Sequence, residues 1–297
     1  MSVDIQAEQN SNRSIKLLSA QRQIYSEAKR LRFIRLIGSV LLAMIAPIVM
    51  IFQPGWSTIL GVIGGFWLLL DQAVLKYLQL STVKQASAIQ EEFDVTLFDL
   101  SWNAILVGDR VTPELINAAE NRFKGDKQKL KNWYPDMGSA PYPLNVLICQ
   151  RFNLVWDWQL RRNYATTILI LVVVYLGLLV WLSMSRNLLL IDAILLFSPS
   201  SSAIAEGISV AIDHFLLASE KEKTSQKILN LWEKGIKDIS SISIEHCRTI
   251  QDCIYTYRST GPFVPNWWYN WLRNRYEIDM YGTAAELKAE AEKLLRN

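Results

Sequence analysis

The densest concentration of side chains able to hold a ligand lies between residues 148 and 162, which read Ile-Cys-Gln-Arg-Phe-Asn-Leu-Val-Trp-Asp-Trp-Gln-Leu-Arg-Arg. On a helix, Arg151, Trp158 and Arg162 share one side, and Gln150, Asn153, Asp157 and Arg161 share another. Arginine forks bind phosphate oxygens and aromatic planes stack on bases, which is the chemistry a nucleotide requires. Trp102, Asn103, Trp133 and Tyr134 bring similar groups and are candidates to join the same pocket. The same residues also suit a polar helix packed inside a domain core. The sequence leaves both readings open.

A second constellation is acidic. Asp192, Glu206 and Asp213 are spaced by multiples of seven, so on a straight helix they share a face to within about 20° per heptad. Hydroxyls from Ser198 to Ser202 fall between them, with Pro199 as a kink. One reading is a cation path lined by Asp192, Ser198, Ser202 and Glu206. The other ends the apolar run near Ala205, with Glu206 at the interface and Asp213 in a soluble extension. Length favours the second, since residues 188–217 would make roughly 45 Å of helix, too much for a ~30 Å hydrocarbon core.

Other chemistry finds little support. His214 beside Asp213 is a candidate base, but adjacent residues point to different faces of a helix. No glycine-rich phosphate loop, HExxH or GxSxG motif occurs, so no catalytic residues are assigned. His246, Cys247 and Cys253 match no zinc spacing and read as ordinary packing or surface residues; neither a metal nor a cofactor is expected. Cys149 completes the three cysteines, all in segments expected to face a reducing cytosol.

These groups must be positioned by an unusual scaffold. Four apolar runs, at 34–52, 58–75, 165–184 and 188 to about 205, form two close pairs. Each is about twenty residues, long enough as a helix to cross a bilayer. The chain is 51% hydrophobic yet 20% charged, which describes membrane spans carrying substantial soluble parts. Basic residues crowd ahead of the first run (Arg13, Lys16, Arg22, Lys29, Arg30, Arg32, Arg35), while the first hairpin turn is uncharged. By the positive-inside rule both termini and the long middle segment face the cytoplasm. Almost nothing is left outside, which excludes a receptor for external ligands. The near-even charge of both soluble segments argues against nucleic acid as a partner.

The expected fold is therefore mainly α: four transmembrane helices in two hairpins, extended into a mostly helical composite cytosolic domain with at most a short strand pair. The segments are an amphipathic leader (1–33), a first hairpin (34–78), a cytosolic middle domain (79–163), a second hairpin (164–206) and a helical C-terminal region (207–297). Leu17, Ala20, Ile24, Ala28 and Leu31 form the leader's apolar stripe, packed on the domain or laid on the membrane surface. Asp71, about one turn before Lys76, reads as a snorkelling or interfacial residue. Phe93, Val95, Leu97 and Leu100 suggest a short strand. Thr112-Pro113-Glu114 opens a helix, 134–143 is a loop, and Gly261-Pro262 with Pro265 breaks the tail before a last amphipathic helix from Ala284 to Leu295.

Several of these stretches resemble one family. Residues 17–29 (LLSAQRQIYSEAK), 92–103 (EFDVTLFDLSWN), 132–135 (NWYP), 147–151 (LICQR) and 156–164 (WDWQLRRNY) are similar, in order and spacing, to the SMODS-associated four-transmembrane effectors. Phe152 and Trp158 depart from that pattern. The resemblance implies a pore-forming effector of a bacterial anti-phage system of the cyclic-oligonucleotide type. Its partners would be the lipid bilayer, a cyclic nucleotide that activates or inhibits it, further copies of itself as a homo-oligomer, and a nucleotidyltransferase that makes the signal. A non-pore membrane scaffold recruiting cytosolic partners and an intramembrane hydrolase are the rival readings.

Overall fold

Every regular element among the described residues of the computed structural model is helical. The structure describes residues 4–53, 56–138, 140–185, 187 and 201–294. A single turn, α1 (Ile5–Glu8), is capped by Asp4. α2 (Asn12–Phe52) starts where the Ser11 hydroxyl accepts the Ser14 N–H at 3.2 Å. α3 (Ser57–Leu70) and α4 (Lys76–Leu97) are joined without a break by a π-helical turn, Asp71–Leu75. Two short helices follow, α5 (Ala104–Val107) and α6 (Pro113–Arg122), the second capped by Thr112 with Pro113 in its first turn. α7 (Leu144–Ser185), α8 (Ser201–Lys237), α9 (Ile244–Thr260) and α10 (Asn266–Leu294) complete the chain.

The long helices pair antiparallel. α2 lies along α3 and α4, with Arg13 on Glu92, Tyr25 on Ser87 and Arg35 on Asp71. α7 lies along α8, with Asp157 on Lys221, Arg162 on Glu222 and Gly207 close to Val172. Each pair has two chemically different ends. At one end Leu18 and Ile24 of α2, Ile89 and Phe93 of α4, Leu147 and Ile148 of α7, Ile228 of α8 and Ile254 of α9 make one buried core. At the other, large apolar side chains point outward, among them Leu41, Phe66, Leu69, Leu171 and Val173. Ile59–Leu97 and Leu144–Ser185 are long and apolar enough to cross a membrane, and only 6% and 18% of their most apolar windows are buried. A buried core helix of a soluble protein would show the reverse. The fourth expected span falls mostly on 188–200, outside the described residues.

The leader packs on the domain: Leu17, Ala20, Ile24 and Ala28 are all buried. Three expectations need correction. No strand forms at 93–100, because α4 runs through Leu97 and ends only where Asp99 turns left-handed at φ 54°. Nearly every side chain from Ala86 to Leu97 is buried, so the helix has no polar face to give its period away. Asp71 does not snorkel; it is 6% exposed and takes two hydrogen bonds from Arg35, at 2.6 and 3.0 Å, whose third nitrogen reaches Gln79 at 2.8 Å. The last helix begins at Asn266, not Ala284.

The contact between α2 and α3 depends on one absent side chain. A Cβ on Gly38 would sit 2.0 Å from the Trp67 ring, whose Nε1 donates to Ser39 at 3.2 Å. Gly61 has nothing within 4 Å. Gly38→Ala is expected to lower stability by about 1–3 kcal/mol, the range for overpacking. Gly61→Ala should be neutral or stabilising. Thermal melting of the detergent-purified protein distinguishes the two.

Candidate functional site

The lower end of α4 places two carboxylates where no water reaches them. The side chains of Glu91 and Asp94, three residues apart on one helical face, are 0% exposed. α9 answers both. Arg248 binds Glu91 at 2.6 Å, Arg258 binds Asp94, and the Gln251 amide donates to Glu91 at 2.8 Å and to Asp94 at 3.0 Å. Gln150 of α7 closes the layer with a bond to the Gln251 carbonyl oxygen at 3.2 Å. Burial pushes the Glu91 carboxyl up, and the neighbouring Asp94 adds to it. Burial works against the Arg258 cation, but Asp94 outweighs it and raises its pKa.

Asp94 also organises the loop before α7. The Tyr134 hydroxyl donates to it at 2.7 Å and accepts from Asn153 at 2.7 Å, while the Tyr134 ring stacks on Phe93 at 6.2 Å. Tyr134 is buried, and its backbone is held by Gln9 through bonds of 2.8 and 3.3 Å. Trp133 packs edge-on against Phe93, with Arg22 5.4 Å over its ring. Tyr134 and Asn153 therefore belong to one network, and Trp133 flanks it.

A second cluster lies farther along α7, toward the apolar end. Asp157 takes Arg161 at 2.6 Å and also contacts Lys221 of α8. Arg161 spans to the Pro262 carbonyl and to His214 Nδ1 at 3.3 Å. Burial would push Asp157 up, yet Arg161 and Lys221 hold its carboxyl well below the usual range. Burial draws Lys221 down to about 8 despite Asp157, and burial with Arg161 draws His214 down to about 3. His214 is thus neutral near pH 7. Its ring meets Tyr164 edge-on at 5.0 Å, and Asp213 points to solvent, so the two neighbours do not act as a pair.

The remaining expected residues are distributed rather than gathered. Trp102 donates to the Gly108 carbonyl at 2.9 Å and lies under Arg110. Asn103 caps α5 and donates to Asp252 at 3.1 Å. Arg162 stacks on Trp158 at 5.1 Å and pairs with Glu222 at 2.6 Å. Arg151 is partly buried, with no hydrogen bond at Nε and its pKa lowered by burial. Asp192 and Ser198 lie outside the described residues, as does the Ser202 side chain; Glu206 pairs with Arg32 of α2 at 3.1 Å. Reading the sequence missed Glu91, Arg248, Gln251 and Arg258 altogether. The available signal was three acids, Glu91, Glu92 and Asp94, crowded between Ile89 and Leu97. His246 accepts the Ser243 N–H at 3.1 Å as a helix-capping residue, and burial pushes the Cys247 thiol up to about 12. No group of metal ligands occurs among the described residues.

Residues 3–287 match the family described as the SMODS-associating 4TM effector domain, which is nearly the whole chain. The chain belongs to that family. It is also 32% identical over 278 residues to a protein of Bacillus cereus (strain VD146) named as a probable CBASS effector molecule, covering 90% of this chain and 92% of that one. No solved structure matches it. Family membership makes this a membrane effector chain, in keeping with its two exposed apolar helices.

Two substitutions test the clusters. Asp94→Asn leaves Arg258 buried without its counter-charge and should cost about 3–5 kcal/mol, read as a lower melting temperature. His214 has a folded pKa below its unfolded one, so the unfolded chain binds more protons between about pH 3 and 6.5, and stability falls on acidification through that window. From pH 6.5 to 4.5 the loss from this residue is roughly 2–3 kcal/mol. His214→Gln should flatten that part of the stability profile, measured by melting across pH.

Proposed function

We propose that this protein is an anti-phage effector of the bacterial inner membrane. A cyclic nucleotide sensed in its cytosolic domain controls it, and a homo-oligomer of the chain permeabilises the membrane. The observation that carries this reading is the continuity of the helices. The α3–α4 rod and α7 each pass from the buried polar layer to an apolar, outward-facing surface without a break, and α2 and α8 run out of the same domain core alongside them. A change in the charged layer therefore reaches the lipid-facing ends through rigid elements. Kinship with a probable CBASS effector supports the defence role and a nucleotidyltransferase as source of the signal.

The four spans form two hairpins with both termini in the cytoplasm, as the arginine and lysine bias indicates. Four such helices enclose too little space for a wide opening, which is why further copies are required. The ion pair between Arg32 and Glu206 ties the two hairpins together at their inner ends. Glu206 serves there as a contact between hairpins, and any path-lining role falls to residues beyond it toward the outer face.

The test is leakage of a small dye or of potassium from cells expressing this chain with and without a cyclic-oligonucleotide synthase. Leakage that depends on the synthase supports the proposal. An intact membrane under every nucleotide condition, with the protein present in the membrane fraction, overturns it.

A further inference from the structure

The meeting point of α2, α7, α8 and the link between α9 and α10 carries an imbalance of charge. Asp157 supplies one negative charge to two cations, Arg161 and Lys221. A third, Lys29 of α2, lies within electrostatic reach of Arg22, Arg161 and Asp157, and among the described residues its Nζ hydrogen-bonds to a neutral group, the Asn266 amide oxygen. Burial first, and then those two arginines, draw Lys29 down to about 8. His214, uncharged near pH 7, adds nothing to either side of the balance. The place is still reached by water. Asp157 keeps 24% of its side chain exposed, and Lys29 and Tyr25 are only partly buried, while Arg161 and Lys221 lie buried behind them. The Tyr25 ring meets Phe263 edge-on at 6.2 Å and forms an aromatic wall beside the cations.

A cluster of three cations around one carboxylate, with ammonium and guanidinium donors and water at its edge, suits a compact anion with several acceptor oxygens. A phosphate ester fits this description better than a single carboxylate, which Asp157 already provides. We infer that this cluster is a phosphate-ester subsite, with Lys29, Arg161 and Lys221 as its charged contacts and Asn266 as the neutral group an anion displaces. The inference deepens the nucleotide-control reading by naming the groups that would meet the ligand's phosphates. The cluster also lies close below the start of the apolar run, since Tyr164, one turn beyond Arg161, directly precedes it. The phosphate of a lipid headgroup is therefore the other source of the same chemistry. Either anion competes with Asn266 for Lys29, which frees the first residue of α10.

The experiment uses the full chain in neutral detergent and isothermal titration with three probes: inorganic pyrophosphate, cyclic di-AMP and dioctanoyl phosphatidylglycerol. At least one is expected to bind, and Lys29→Gln should weaken it roughly tenfold or more, the worth of a charged hydrogen bond. Lys223→Gln, at an exposed lysine paired with Glu220, should leave binding unchanged. Asn266→Asp offers Lys29 a fixed carboxylate, so it should weaken binding without removing a cation, and melting temperatures confirm that both variants fold. No binding of any probe at millimolar concentration overturns the subsite. Cyclic di-AMP bound equally by wild type and Lys29→Gln also overturns it, while leaving nucleotide control standing. Binding of the lipid alone, lost in Lys29→Gln, upholds the subsite and removes its support for nucleotide control.

Discussion

Two carboxylates on a stretch of helix buried on all sides make the rest of the domain's arrangement necessary. An isolated charge in such a position would cost several kcal/mol, so Glu91 and Asp94 require cations and amide donors at fixed positions. α9 meets that demand only in one register, with Arg248, Gln251 and Arg258 spaced to reach both acids. Tyr134 then fixes the loop ahead of α7, and Asn153 fixes the rotation of α7 itself. An apolar layer of similar volume would hold the helices together with less directional preference. The charged layer instead specifies which faces meet.

The same economy of partners recurs toward the membrane. Arg35 and Asp71 satisfy each other where α2 and the α3–α4 rod leave the domain, and Arg32 and Glu206 join α2 to α8 nearby. Beyond these pairs the surfaces become apolar and outward-facing. The buried charges therefore lie at the helix interfaces of the domain and where the apolar helices leave it. Exposed ion pairs such as Lys223 with Glu220 contribute little by comparison.

Features set by neighbouring residues were legible in the sequence. Thr112 and Pro113 start a helix, residues 134–138 and 140–143 lie in a loop, and Gly261-Pro262 ends α9, because caps and turns are local chemistry. The leader's apolar stripe likewise marked the face that is buried, though not which of domain or membrane would cover it. Burial on all sides defeated the reading of 93–97, since a helix surrounded by others shows no amphipathic period. The candidate ligand residues were recognised by type, but what each touches was hidden. Asp157 finds Lys221 and Asn103 finds Asp252 across long stretches of chain, and no spacing rule connects them. Arg161 and Asp157, four apart on one helix, were the pair that sequence could bring together.

The uninterrupted rod of α3 and α4 has a mechanical consequence. Its 41 residues, Ser57 to Leu97, extend about 60 Å, and the π-helical turn at Asp71 lies nearer its outer tip than the buried acids. With Arg35 gripping Asp71, that turn is the natural fulcrum. A tilt of a few degrees imposed at Asp94 then swings the opposite tip sideways by an ångström or so, in the reverse direction, with no bond in the rod having to break.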